Sequence, residues 1–195
     1  MTSDAENAVT RVARRKAAEN TRWFVYFDHI RDERGNEVPD YLVIKPKAEA
    51  ADMVTGVSVL PVLTDGRIAL VRVYRVATSS FCWETPRGFI DPGDTAEAAA
   101  IRELAEEAGL KASPDRLEAQ GRITPEASTL EGKAALFIAW DCSALADFQP
   151  DAEAGMGAPR LFTRAELQTM LDRFEIEDPG TRILLAAALD GGRST

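Results

Sequence analysis

The chain has 195 residues, 45% hydrophobic and 28% charged, with 32 acids against 23 Lys and Arg and a formal net charge of −9. That length suits one domain of ordinary size plus an extension, with enough apolar material for a core. The acidic balance disfavours general binding to nucleic acid or to anionic membranes, so phosphate chemistry here would need cations placed locally, as metal ions or a few arginines.

No run of about 18 apolar residues occurs, so no transmembrane helix is expected, and the apolar stretch of a secretory signal is missing after Met1. Asp4, Glu6 and Glu19 around the basic residues 11–16 argue against a transit peptide, which leaves a cytoplasmic location as the expectation. Cys82 and Cys142 form no C-x-x-C pair and read as free thiols of a reducing compartment. The lone His29 argues against a Ser-His-Asp triad or a multi-histidine zinc site.

In chain order, residues 1–20 are polar and Ala-rich and are expected to form a short exposed helix or to stay unstructured. Residues 21–50 alternate like two antiparallel strands around Arg34-Gly35-Asn36 and form an N-terminal β extension, with residues 51–195 as the main domain. A hairpin is expected from Val57 to Tyr74, turning at Asp65-Gly66, then a strand over Phe81 to Thr85 and a Gly/Pro-rich loop from Pro86 to Gly93. Asp94 with Glu97 resembles a capping pair for a helix that Gly109 ends. Strands follow over Leu117 to Ile123, Ala134 to Trp140 and Arg160 to Phe162. Thr163 and Glu166 cap an amphipathic helix with Leu167, Met170, Leu171 and Phe174 on its apolar face, and Asp178-Pro179 opens a last helix. The mixture gives an α/β class with a mixed sheet.

The chemistry concentrates in one helix. With Glu103 at zero, Glu107 falls near about +40° and Glu106 near about −60°, so three carboxylates share an arc. Ala98, Ile101, Leu104, Ala105 and Ala108 would bury the opposite side. Like charges at these spacings repel by roughly 0.2–0.5 kcal/mol per pair, and a hard divalent cation would reverse that cost. Read alone, such an arc is most often a solvated surface.

The context changes the reading. Gly88, Arg102, Glu103, Leu104, Glu106, Glu107, Gly109 and Leu110 match the Nudix box, G-x5-E-x7-R-E-U-x-E-E-x-G-U with U aliphatic; Asp94 replaces the first glutamate. The chain thus resembles the Nudix family. The resemblance implies an α/β/α sandwich with a mixed sheet, behind the N-terminal antiparallel extension. It also implies Mg2+ or Mn2+ as cofactor, held by Glu103, Glu106, Glu107 and the backbone carbonyl of Arg87, with Arg102 orienting the acids. For the general base it points to a late loop, where Glu153 is the candidate and Asp151 its neighbour.

Outside the box, Leu70-Val71-Arg72-Val73-Tyr74-Arg75, Trp83-Glu84-Thr85-Pro86-Arg87-Gly88, Pro125 and Leu136-Phe137-Ile138-Ala139 resemble the branch that hydrolyses ADP-ribose and nucleoside diphosphate sugars. That resemblance implies a substrate-binding role for Arg75 and Glu84. Arg87 is a departure, because many members of the branch carry a small residue there, and a long cation could grip a phosphate or narrow the pocket. A homodimer formed through the N-terminal strands is implied too, with Trp23, Phe24, Tyr26 and Phe27 packing or stacking. The expected partner is a small nucleotide, with no nucleic acid or membrane. The alternatives are another nucleoside diphosphate derivative (a dinucleotide polyphosphate, a coenzyme, a modified nucleotide) or a non-catalytic nucleotide-binding regulator.

Overall fold

The computed structural model describes residues 9–48, 50, 52–148 and 155–190. They divide into two compact units: Met1–Met53 with Thr124–Gly132, and Val54–Ile123 with Lys133–Thr195.

The first unit is built on three antiparallel strands in sequence order, β1 (Val9–Glu19), β2 (Trp23–Asp32) and β3 (Glu37–Pro46). β2 and β3 are the two expected strands, whereas β1 corrects the expectation of a helix or an unstructured segment over residues 9–19; residues 1–8 of that expectation lie outside the described residues. Local alanine propensity is overridden by cross-strand pairing. Arg14 lies over the Tyr26 ring at 4.5 Å, Arg15 over Phe27 at 5.0 Å and Lys16 over Phe24 at 5.5 Å. Beneath them the Arg14 guanidinium grips the buried Asp28 carboxylate through bonds of 2.8 and 2.7 Å, which hold that carboxyl below its usual range. Three of the four rings expected to pack or stack, Phe24, Tyr26 and Phe27, thus already carry cations, and Lys47 adds another to Phe24 at 4.9 Å. His29 Nε2 pairs with Glu37 Oε2 at 2.8 Å, consistent with a structural role.

The second unit is a mixed eight-stranded sheet covered by helices. Its strands are β4 (Val54–Leu63), β5 (Ile68–Arg75), β6 (Ser80–Glu84), β7 (Arg87–Phe89), β8 (Leu110–Lys111), β9 (Leu117–Ile123), β10 (Lys133–Ala144) and β11 (Arg160–Phe162). The main path runs β11-β5-β4-β10-β8; β6 pairs with β5, β7 with β4 and β9 with β10. β4 and β10 run parallel and the other pairs antiparallel. Central strands of such a sheet are buried on both faces, and side chains alternate between them. Ala135, Phe137 and Ala139 of β10 face a core with Ala99, Ala100 and Leu104 of α1 (Ala96–Ala108). Leu136 and Ile138 face a second core with Leu167 of α2 (Arg164–Asp172) and Leu184 and Leu185 of α3 (Pro179–Asp190). This is the α/β/α sandwich. No helix among the described residues is long and apolar enough to cross a membrane.

Several local expectations shift. The stretch expected as a loop, Pro86 to Gly93, contains β7, which pairs with β4 at Gly56, Val57 and Ser58. The cap of α1 is Thr95, not Asp94: Thr95 is extended, and its side chain accepts from Ala98 N at 3.1 Å. Asp94 belongs to the preceding turn, its N–H donating to Asp91 O at 3.0 Å. The capping box of Thr163 and Glu166 is present. However, α2 ends at Asp172, and Phe174 adopts φ 56° and lies 74% exposed under the Arg182 guanidinium, so it is not on the buried face.

Gly109 closes α1 at φ 63°, where its N–H reaches the carbonyls of Leu104 and Ala105, and a Cβ there would fall 2.3 Å from the Phe148 ring. Gly109→Ala therefore combines left-handed strain of about 1–2 kcal/mol with overpacking of about 1–3 kcal/mol. Urea denaturation of the variant should show a midpoint lowered to match, and an unchanged midpoint would contradict the packing described.

Candidate active site

α1 buries Ala99, Ala100, Glu103, Leu104, Glu107 and Ala108. This corrects the expected apolar face, because Ala98 is exposed and two of the three carboxylates lie on the buried side. The wheel accounts for the split: the buried arc spans roughly −40° to +140° relative to Glu103, which leaves Glu106 at about −60° just outside. Glu103 is 6% exposed and Glu107 8%, while Glu106 reaches solvent.

The Glu103 carboxylate rests on the backbone of β7. A Cβ built on Gly88 would fall 2.1 Å from Glu103 Oε1 and 2.5 Å from its carboxyl carbon, so only glycine leaves room for this carboxylate. One residue earlier, the Arg87 N–H donates to Glu107 Oε2 at 2.9 Å. Both acids are thus set by a three-residue strand that β4 holds in register.

Arg102 binds the same region from the other side. Its Nη1 lies 2.7 Å from Glu103 Oε1 and 2.8 Å from Glu106 Oε2, and its Nη2 donates to Phe89 O at 2.8 Å. Burial works against its cation, but the two carboxylates more than offset that, so its pKa stands above the ordinary arginine value.

A second charged group adjoins the first. Glu84, only 2% exposed, accepts from Arg75 at 2.8 Å (Nε to Oε1) and 2.5 Å (Nη2 to Oε2), and Arg87 Nη2 reaches the same Oε2 at 2.7 Å. Arg87 Nη1 also donates to Asp178 Oδ1 at 2.7 Å. Arg75, Glu84 and Arg87, each named from sequence for substrate, therefore form one array, and Asp178 is its fourth member. Sequence reasoning placed Asp178 only as a helix start. The readable signal was its place before Pro179 with Thr181 two residues after the proline, the pattern of a carboxylate N-cap with a hydroxyl in the first turn.

Glu153 and Asp151 lie outside the described residues. The described end of their loop is tied to β5, where Tyr74 N donates to Gly155 O at 2.8 Å beside Arg75.

Among the described residues no three His, Cys, Asp or Glu side chains converge to hold a metal ion, and Glu106 accepts from Arg102 Nη1 at 2.8 Å. The donor set nevertheless fits a hard divalent cation: buried carboxylates, oxygen ligands throughout, and a glycine cradle that admits Glu103 and no Cβ.

The NUDIX domain profile matches residues 53–182, and the chain belongs to that family. Among characterised sequences, it is 45% identical over 69 residues to an ADP-sugar pyrophosphatase of Mus musculus, covering 33% of this chain and 30% of that protein. It is 52% identical over 46 residues to an RNA pyrophosphohydrolase of Sphingopyxis alaskensis, covering 24% of this chain and 28% of that protein. These matched stretches span less than a third of either relative's length. A solved structure of an ADP compounds hydrolase superposes with a TM-score of 0.76 over 98% of this chain and 99% of that one, at 20% identity. At that identity the likeness establishes the fold.

Proposed function

We propose that this chain is a metal-dependent pyrophosphohydrolase of ADP-ribose or a related nucleoside diphosphate sugar, releasing a nucleoside monophosphate and a sugar phosphate. The observation that carries the reading is one short segment, Glu84 to Gly88, that serves both charged groups. Its Glu84 gathers two guanidiniums, and its Gly88 seats the Glu103 carboxylate. In this reading the segment sets a cation site and an anion site side by side, which is what a charged diphosphate beside a divalent ion requires.

In this reading Glu103, Glu106, Glu107 and the Arg87 carbonyl hold Mg2+ or Mn2+. The ion, when bound, supplies charge neutralisation and Lewis-acid polarisation at the diphosphate. Arg102 keeps the acids oriented, and Glu106 exchanges its Arg102 partner for the cation. Arg75 and Arg87 bind phosphate oxygens by charge-assisted hydrogen bonds. Glu153 takes the proton of the attacking water. The N-terminal strands form a homodimer, and the protein works in the cytoplasm.

The likeness to the Sphingopyxis alaskensis enzyme supports pyrophosphohydrolase chemistry rather than an RNA substrate, since a net charge of −9 opposes a polyanion. The test is incubation with magnesium and a panel of nucleoside diphosphate derivatives, followed by product identification. AMP and ribose 5-phosphate from ADP-ribose are the expected products. Tight nucleotide binding with no turnover under any metal would replace this reading with a regulator.

A further inference from the structure

We infer that Asp178, the residue capping α3, is a positioning residue for the substrate diphosphate: by fixing the Arg87 guanidinium against Glu84 it sets Arg87, beside Arg75, to receive a phosphate oxygen. The inference rests on the diphosphate reading above.

The Nη2 nitrogens of Arg75 and Arg87 meet on a single oxygen, Glu84 Oε2, at 2.5 and 2.7 Å. Two guanidiniums so close repel one another, and the arrangement persists only while carboxylates compensate it. Glu84 compensates both cations, and Asp178 is the second acid on Arg87, at 2.7 Å. Without Asp178, Arg87 keeps one carboxylate that it shares with Arg75, and a long, flexible side chain has little reason to stay there rather than turn into water.

Asp178 is itself rigidly held. Its Oδ2 accepts from Thr181 N and from Thr181 Oγ1, both at 2.8 Å, which leaves Oδ1 for Arg87. Thr181 Oγ1 in turn accepts from Thr85 N at 2.9 Å, and Thr85 Oγ1 lies 2.6 Å from Ser58 Oγ, so the cap of α3 is tied to the segment that carries Glu84 and Arg87. The two acids lie beneath the cations: the Glu84 and Asp178 side chains are 2% and 9% exposed, and both arginine side chains are 37% exposed. The Arg87 guanidinium has more N–H donors than these bonds use, and its outer ones remain for an arriving anion. Holding both cations in place before binding removes the ordering cost that loose arginines would add.

The Asp178→Asn variant separates the two roles of the residue. Asparagine caps a helix as well as aspartate does, so the bond to Thr181 N survives while the charge facing Arg87 is lost. Asp178→Ser, also a competent cap, serves as the second variant. The probe is inorganic pyrophosphate, titrated calorimetrically into the full chain without metal, for wild type, Asp178→Asn, Arg87→Gln and the double variant. The expected result is a Kd about tenfold weaker for Asp178→Asn and Asp178→Ser, with melting temperatures held near wild type. The double variant should bind no more weakly than Arg87→Gln alone, because Asp178 acts through Arg87. Wild-type affinity in Asp178→Asn, full additivity in the double variant, or no pyrophosphate binding by wild type would each overturn the inference. AMP release from ADP-ribose by wild type, assayed in parallel, reports separately on the proposed function.

Discussion

Glu107→Gln is expected to lower kcat by roughly 10³-fold, the order of effect seen when one electrostatic stabiliser of a charged transition state is removed, or about 4 kcal/mol in barrier. The fold should be indifferent to the change. Glutamine keeps the volume, and its side-chain oxygen can still accept the Arg87 N–H that now reaches Glu107 Oε2 at 2.9 Å. Loss of one charge also relieves the repulsion with Glu103 at i,i+4, about 0.2–0.5 kcal/mol, so without metal the variant should be as stable as wild type or slightly more so. Added magnesium should reverse that order. A cation that binds only the folded state stabilises it by about 2.7 kcal/mol at one hundred times its Kd, and the variant should forfeit most of that gain. Thermal melts of both proteins with magnesium and with EDTA, alongside kcat, check the prediction. Equal stabilisation of both proteins by magnesium would remove Glu107 from the ligand set.

The segments whose chemistry is local were legible in the sequence. The hairpin turning at Asp65-Gly66, the left-handed Gly109 and the capping box of Thr163 and Glu166 each depend on residues within a few positions of one another. The expected strands β2 and β3 followed from apolar alternation, and β9 and β11 also lie where strands were expected. β1 was not legible, because its polar, Ala-rich sequence becomes a strand only through Arg14, Arg15 and Lys16 meeting rings and a carboxylate of β2. The buried side of α1 was misjudged for a related reason. Hydrophobicity places glutamates outward, whereas Glu103 and Glu107 are drawn in by a glycine and a backbone N–H on a strand read as loop. The array of Arg75, Glu84, Arg87 and Asp178 shows the same limit. Three members lie in motifs, but the fourth comes from a helix start 91 residues beyond Arg87, and only the fold joins them.

Gly88→Ala should disable the site while largely sparing the fold. A methyl at this position would lie 2.1 Å from Glu103 Oε1 and 2.8 Å from Oε2, so one partner must move. The strand is poorly placed to do so: β7 is paired with β4 from Gly56 to Ser58, and a Cβ on Gly56 would already stand only 3.2 Å from Gly88 O. The Glu103 carboxylate, at the end of a flexible side chain, is what yields. Stability should fall by about 1–3 kcal/mol, the usual range for an added methyl in a packed site. Activity should fall further, since displacing a catalytic group by about 1 Å costs on the order of 10²-fold. Gly66→Ala is the informative control. Gly66 sits at φ 82° in the remote hairpin turn with nothing within 4 Å of a built Cβ, so its alanine variant should lose stability through backbone strain alone. Measured together, the two variants should show comparable losses in urea midpoint but a roughly 10²-fold difference in kcat/KM. Full activity in Gly88→Ala would mean that the position of the Glu103 carboxylate does not govern the reaction.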